Sequence, residues 1–278
     1  MTSRRSLARN ALGVLALGTA ALGYSALIER RSYTLREVTI PVLPHGSPDL
    51  RILHLSDLHI TPRQLDKVSW VNSLAFLEPD LVIDTGDNVG SVDAIPTLEA
   101  ALAPLLRSAP GVYVDGSNDL YAPRPKNPLR YVFPRTTHVN VEPTREPIDI
   151  SALHAVFDSS SWANLNNEAT EMQLGSLPVL FVGTGDAHLG HANLDIIHGR
   201  RPQIRAARDA GALIVGVTHA PYQAVLDALV DAGVDVIFAG HTHGGQVCVP
   251  GLGALTTNCD LPLKQAKGAS RWRHAGRC

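Results

Sequence analysis

An α/β fold, with strands and helices alternating along the chain, follows from three features of the sequence. Short apolar runs recur, separated by stretches with helical spacing. Of the 278 residues, 45% are hydrophobic, enough for the core of one large domain or two small ones. Five polar clusters each follow an apolar run directly. That order places them beyond the carboxyl ends of strands, where open α/β sheets bind ligands.

The elements follow in order. Arg4, Arg5 and Arg9 precede a stretch from Asn10 to Ile28 that carries no formal charge. As a helix it would reach about 28 Å, close to a hydrocarbon core of about 30 Å. Ser3-Arg4-Arg5-Ser6-Leu7 is similar to a twin-arginine export signal, and the positive start keeps the N-terminus cytoplasmic. Residues 1–31 are therefore expected to be a signal or anchor segment. Residues 32–48, with Pro41, Pro44, Gly46 and Pro48, read as a linker with at most one short strand. Residues 49–278 form the main domain. Within it, Leu50–Leu55, Leu81–Ile83, Gly111–Val114, Val179–Val182, Leu213–Val217 and Val234–Phe238 read as buried strands. Leu65–Leu77, Val92–Leu106 and Tyr222–Ala232 read as helices. Residues 121–147, rich in Pro and basic residues, read as loop.

Composition narrows the function. Charged residues are 18% and the net charge is −2, which excludes a disordered tail protein and disfavours a nucleic-acid binder. No nucleic-acid partner is expected. Cys248, Cys259 and Cys278 are too few for a dense disulfide framework, and none sits in a CxxC pair.

The five clusters are Asp57-Leu58-His59, Gly86-Asp87-Asn88, Gly116-Ser117-Asn118-Asp119, Thr218-His219-Ala220-Pro221 and Gly240-His241-Thr242-His243-Gly244-Gly245. In extended backbone, Asp-x-His and His-x-His would each set both side chains on one side. Gathered together, such residues suit two divalent cations about 3.5–4 Å apart, which need a bridging carboxylate. Asp87 is the natural bridge. Mixed His, Asp and Asn ligation suits Mn, Fe or Zn rather than Mg or Ca.

In that order, the clusters resemble the motifs D-x-H, G-D, G-N-H-D/E, an isolated H and G-H-x-H of the calcineurin-like metallophosphoesterases. Gly240–Gln246 after a membrane-linked leader resembles the bacterial membrane-associated or twin-arginine-exported branch. The resemblance runs over about residues 50–272. It implies a layered β-sandwich flanked by helices. It implies that Asp57, His59, Asp87 and His243 hold one metal, and that Asp87, Asn118, His219 and His241 hold the other. Further strands beyond Lys264–His274 would close the second sheet in that family, so an open edge is expected here.

One motif departs from the pattern. Ser117 stands at the metal-binding Asn and Asn118 at the His assigned to leaving-group protonation. A small loop shift would let Asn118 serve as the ligand; the general acid is then Asp119 or His188, or the leaving group needs no protonation. Asp87, Asn118 and Asp119 are thus the catalytic candidates. Arg124, Lys126 and Arg130 are equally a substrate-facing group or a solvated loop. His54 reads as a satisfied histidine and Asp84 as structural. The resemblance implies metal-dependent hydrolysis of phosphate esters or lipid-linked pyrophosphates, and the resembled branch includes enzymes acting on UDP-2,3-diacylglucosamine-type lipids, so such a lipid or a phospholipid is among the candidate substrates. The expected location is extracytoplasmic, the domain being anchored by its N-terminal segment or exported. The alternative is a metal-binding scaffold with weak or no catalysis.

Overall fold

The computed structural model describes residues 31–123, 145–249 and 253–277, together with 13, 18, 19, 23 and 24. The chain divides into two compact units, residues 1–37 and 38–278. Most of the expected anchor segment lies outside the described residues. Among those described, no helix is long and apolar enough to cross a membrane.

Among its described residues, the second unit contains two four-stranded sheets. In the first, β1 (Ile52–Leu55), β2 (Leu81–Asp84), β3 (Gly111–Tyr113) and β4 (Trp162–Asn164) lie side by side in that order, all parallel. The second runs β5 (Ala169–Leu174), β6 (Leu177–Gly183), β7 (Leu213–Thr218), β8 (Val236–Ala239), with only β5 antiparallel to its neighbour. A separate hairpin pairs β9 (Gln246–Val249) with β10 (Gly253–Thr256).

Side chains from alternate strand positions build three core layers. Leu81, Ile83, Val112, Phe181, Val215 and Val217 meet between the sheets. Leu53, Leu55 and Val82 point outwards to α1 (Leu65–Ser73), α2 (Ile95–Ser108) and, beyond the 117–120 turn designated α3 (Ser117–Leu120), α4 (Ile150–Asp158). On the far side, Leu180, Val182 and Ile214 pack on α5 (Leu194–Gly199), α6 (Arg201–Asp209) and α7 (Gln223–Ala232). Covered on both faces, β2, β6 and β7 are apolar at nearly every position before their polar ends at Asp84 and Thr218, so they appear in the sequence as near-continuous runs. Each fully buried Val, Leu or Ile contributes about 1.5–3 kcal/mol. Val42, Leu43 and Leu50 also pack on the inter-sheet core, and no strand forms among residues 32–48.

The expected β-sandwich with flanking helices is therefore present. α4, α5, α6, β4 and β5 were not anticipated from periodicity. Pro104 sits inside α2 and cannot donate to Ala100 O. Asn72 Nδ2 donates to that carbonyl at 2.9 Å instead, tying α1 to α2.

Candidate metal centre

Every polar cluster lies where its strand ends, and the clusters are laced together by backbone and carboxylate bonds. Asp57 N donates to Gly86 O at 2.8 Å, His59 N to Asp87 O at 2.9 Å and Ile60 N to Asn88 O at 2.8 Å. His241 N reaches Asp57 Oδ2 at 2.9 Å, joining the fifth cluster to the first. Gly116 carries no side chain for a steric reason: a Cβ there would strike Asp87 Oδ1, Asp87 N and His219 Cε1.

The backbone at these positions is not extended. Asp57, His59, Asp87, His241 and His243 have φ of 53°, 41°, 57°, 68° and 51°. The two ligating pairs converge through left-handed turns and not through strand alternation, which corrects the geometry expected for Asp-x-His and His-x-His. Non-glycine residues seldom adopt such φ, and clusters of them mark functional sites.

Among the described residues two groups of ligating atoms result, each with its atoms within 4.8 Å of one another: Asp57, His59 and His243, and Asp57, Asp87 and His219. Asp57 is common to both. Asp87 spans them as well, with Oδ2 3.7 Å from His59 Nε2 and Oδ1 3.6 Å from His219 Nε2. His241 Nδ1 lies 3.3 Å from His219 Nε2.

The donors fit cations. Asp57 Oδ1 is buried and makes no hydrogen bond among the described residues, although His243 Nε2 is 3.4 Å away. The His59 and His243 rings lie nearly parallel with their Nε2 atoms 3.1 Å apart. Thr85 O can only accept, so the 2.6 Å contact from His219 Nδ1 puts the proton there and leaves Nε2 as a lone pair facing the group. His241 Nε2 lies 3.2 Å from Asn258 O and 3.3 Å from Asn258 Nδ2, and its Nδ1 faces inwards towards His219. Lone pairs and a carboxylate oxygen facing one another call for a positive charge between them.

In the absence of metal, protons meet that demand. Burial opposes charge on His219, but Asp87, Asp57 and Asp186 outweigh it and raise its pKa to about 9. Burial would likewise raise Asp87, yet His219, His59 and the Asn118 N–H hold it at about 2. His241 moves the other way. Burial, with His219 and His188 beside it, depresses its pKa well below the ordinary value.

Two candidates are placed otherwise than expected. Asp119 is fully buried, and its two oxygens accept N–H bonds from Asp87 (2.7 Å), Asn88 (2.7 Å), Val89 (3.3 Å) and Gly116 (2.9 Å). It clamps the second cluster and turns no oxygen to the ligating groups, so the general-acid role gives way to a positioning one. Asn118 does reach the centre, but by its donors. Its backbone N meets Asp87 Oδ1 and its Nδ2 meets Asp87 Oδ2, both at 2.7 Å, while its carboxamide oxygen accepts from Arg145. The oxygen that would ligate a metal therefore faces away.

Around the centre, His188 packs 4.6 Å from the His241 ring and bonds the Tyr222 hydroxyl at 3.0 Å. Asp84 fixes the Gly86 turn by accepting from Gly86 N (2.8 Å) and Asn88 Nδ2 (3.0 Å), and burial pushes its pKa to about 6. His54 bonds the Thr85 hydroxyl at 2.9 Å. Arg124, Lys126 and Arg130 lie outside the described residues. Arg145 and Thr85 do not stand out in the sequence, because nothing local marks a residue whose role is to bond a distant cluster.

The chain is 27% identical over 223 residues to a bovine (Bos taurus) transmembrane protein with metallophosphoesterase domain, covering 77% of this chain and 45% of that protein. It is 26% identical over 204 residues to the uncharacterized metallophosphoesterase YkoQ of Bacillus subtilis (strain 168), covering 72% and 63%. The chain thus spans less than two thirds of the length of either relative. Among solved structures, TT1561 of Thermus thermophilus superposes with a TM-score of 0.42 at 16% identity, over 69% of this chain and 81% of that one. The phosphopantetheinyl hydrolase of Mycobacterium tuberculosis gives 0.33 at 16% identity, over 62% and 68%. The calcineurin-like phosphoesterase model matches residues 50–245, from β1 through the last ligating cluster, and the chain belongs to that family.

Proposed function

We propose that this protein is a metal-dependent phosphoesterase acting on phosphate esters or lipid-linked pyrophosphates. The observation that carries the reading is the pair of ligating groups that share Asp57 and are spanned by Asp87. Asp57, His59, Asp87 and His243 would hold one cation, and Asp57, Asp87, His219 and His241 the other. Bound there, Mn, Fe or Zn supplies charge neutralisation on phosphoryl oxygens and a lowered pKa for water.

The chain's own residues do the positioning. Thr85 O orients the His219 ring, the Asn118 donors hold both Asp87 oxygens, and Asp119 holds the loop beneath. Attack on phosphorus would be in line and without a covalent enzyme intermediate. An N-terminal segment, residues 1–31, whose uncharged stretch Asn10–Ile28 would keep the domain beside a bilayer, favours a lipid or cell-wall precursor substrate on the extracytoplasmic side. The bovine relative's name, a transmembrane protein, supports attachment.

A second reading, a metal-binding scaffold with weak or no catalysis, is favoured by Asn118 standing where a protonating His is expected. The test is to purify the full chain, load it with Mn, Fe(II) or Zn, count bound metal and assay phosphomonoesters, phosphodiesters and nucleotide-lipid pyrophosphates. About two metals per chain with metal-dependent hydrolysis is the expected result. Metal bound without any hydrolysis selects the scaffold, and absence of binding sinks both.

A further inference from the structure

The third cluster lacks an imidazole, but a cation occupies its flank. Arg145 lies 27 positions beyond Asn118, and its Nη2 donates to Asn118 Oδ1 at 3.1 Å. The same nitrogen donates to Tyr121 O at 3.0 Å, and the guanidinium carbon lies 5.6 Å from the centre of the Tyr121 ring. Through one carboxamide, therefore, the guanidinium stands two hydrogen bonds from Asp87. Buried Asp84, Asp87, Asp115, Asp119 and Asp186 crowd the same strand ends. An arginine there keeps its charge, and its planar fork matches phosphoryl oxygens.

We propose that Arg145 contacts the phosphoryl group of the substrate and stabilises the departing ester oxygen, so that this site neutralises its leaving group by charge and not by proton donation from the enzyme. The proposal rests on the phosphoesterase reading above. Arginine does not release its proton in proteins, so it cannot act as a general acid. The bond from phosphorus to the water oxygen forms as the bond to the ester oxygen breaks. The ester oxygen leaves with the electron pair beside the guanidinium and takes a proton from bulk water. The attacking water releases its proton to solvent.

The test uses the metal-loaded full chain and the variants R145Q and R145K. Bound metal is counted, inorganic phosphate binding is measured by calorimetry, and kcat/KM is followed over aryl phosphates of graded leaving-group acidity. Expected for R145Q are intact metal content, phosphate affinity weakened about 10- to 100-fold, and a loss of kcat/KM that grows as the leaving group becomes poorer. R145K should recover part of the phosphate affinity. Unchanged phosphate affinity with an unchanged leaving-group slope overturns the proposal. So does loss of metal from both variants, which would make Arg145 only a support for Asn118. If wild-type protein binds phosphate through Arg145 yet hydrolyses nothing, the contact stands and the phosphoesterase reading fails.

Discussion

Replacing Asp119 by Asn tests whether this carboxylate is structural. Oδ1 accepts from Asn88 N and Val89 N, and Oδ2 from Asp87 N and Gly116 N. A carboxamide keeps one acceptor oxygen. Whichever way it sits, two buried N–H groups lose their partner and face an NH₂ group. A buried N–H left without a partner costs about 1–3 kcal/mol, so the loss is about 2–6 kcal/mol. That is a large share of a total stability of about 5–15 kcal/mol. Because an N–H of Asp87 or of its neighbour is among those freed, metal binding should weaken too. Urea unfolding followed by circular dichroism measures the first effect and metal titration the second. If Asp119 were the general acid, D119N would unfold as wild type does and keep its turnover of aryl esters. It would lose about 10²- to 10⁴-fold on alkyl esters alone. That result would refute the reasoning.

Other outcomes follow from the same geometry. Asp57→Ala removes the residue common to both ligating groups, so bound metal should fall and kcat/KM should drop by at least about 10³-fold, several kcal/mol of charge stabilisation; full turnover with metal present contradicts the assignment. His219, with a pKa of about 9 without metal, must give up a proton to ligate, so metal uptake at pH 7 should release about one proton and affinity should climb with pH towards 9. Calorimetry in buffers of different ionisation enthalpy reads that proton, and an uptake that releases none is the contrary result. With no His at position 118, wild-type protein should cleave aryl phosphates far faster than alkyl ones, and equal efficiency on both argues for an enzyme acid. The Asp115 hydrogen bond leads the influences on His154 and raises its pKa. Its stabilisation is therefore complete below the unfolded pKa of about 6.5 and is lost as pH rises through the folded value. The melting-temperature difference between wild type and His154→Gln should shrink from pH 6 to pH 9, and a difference that grows would reverse the sign.

The sequence by itself determined the layers and the inventory of ligands. Runs such as Leu81–Ile83 and Leu213–Val217 are local and apolar because both sheet faces are covered, and Asp57, His59, Asp87, His219, His241 and His243 stand directly after such runs. What each polar group does was decided in three dimensions. Asp119 reads like a catalytic acid until amide donors from Asp87, Asn88 and Val89, about thirty positions away, take up its oxygens. Asn118 reads like a ligand until Arg145 claims its carbonyl. The ligating pairs read as extended until their φ values prove positive. The physical reason is common to all three. Residue type and spacing fix which side chains are available at a strand end, but hydrogen-bond partners and backbone turns come from segments distant in the chain, and those partners fix the direction in which each donor or acceptor points.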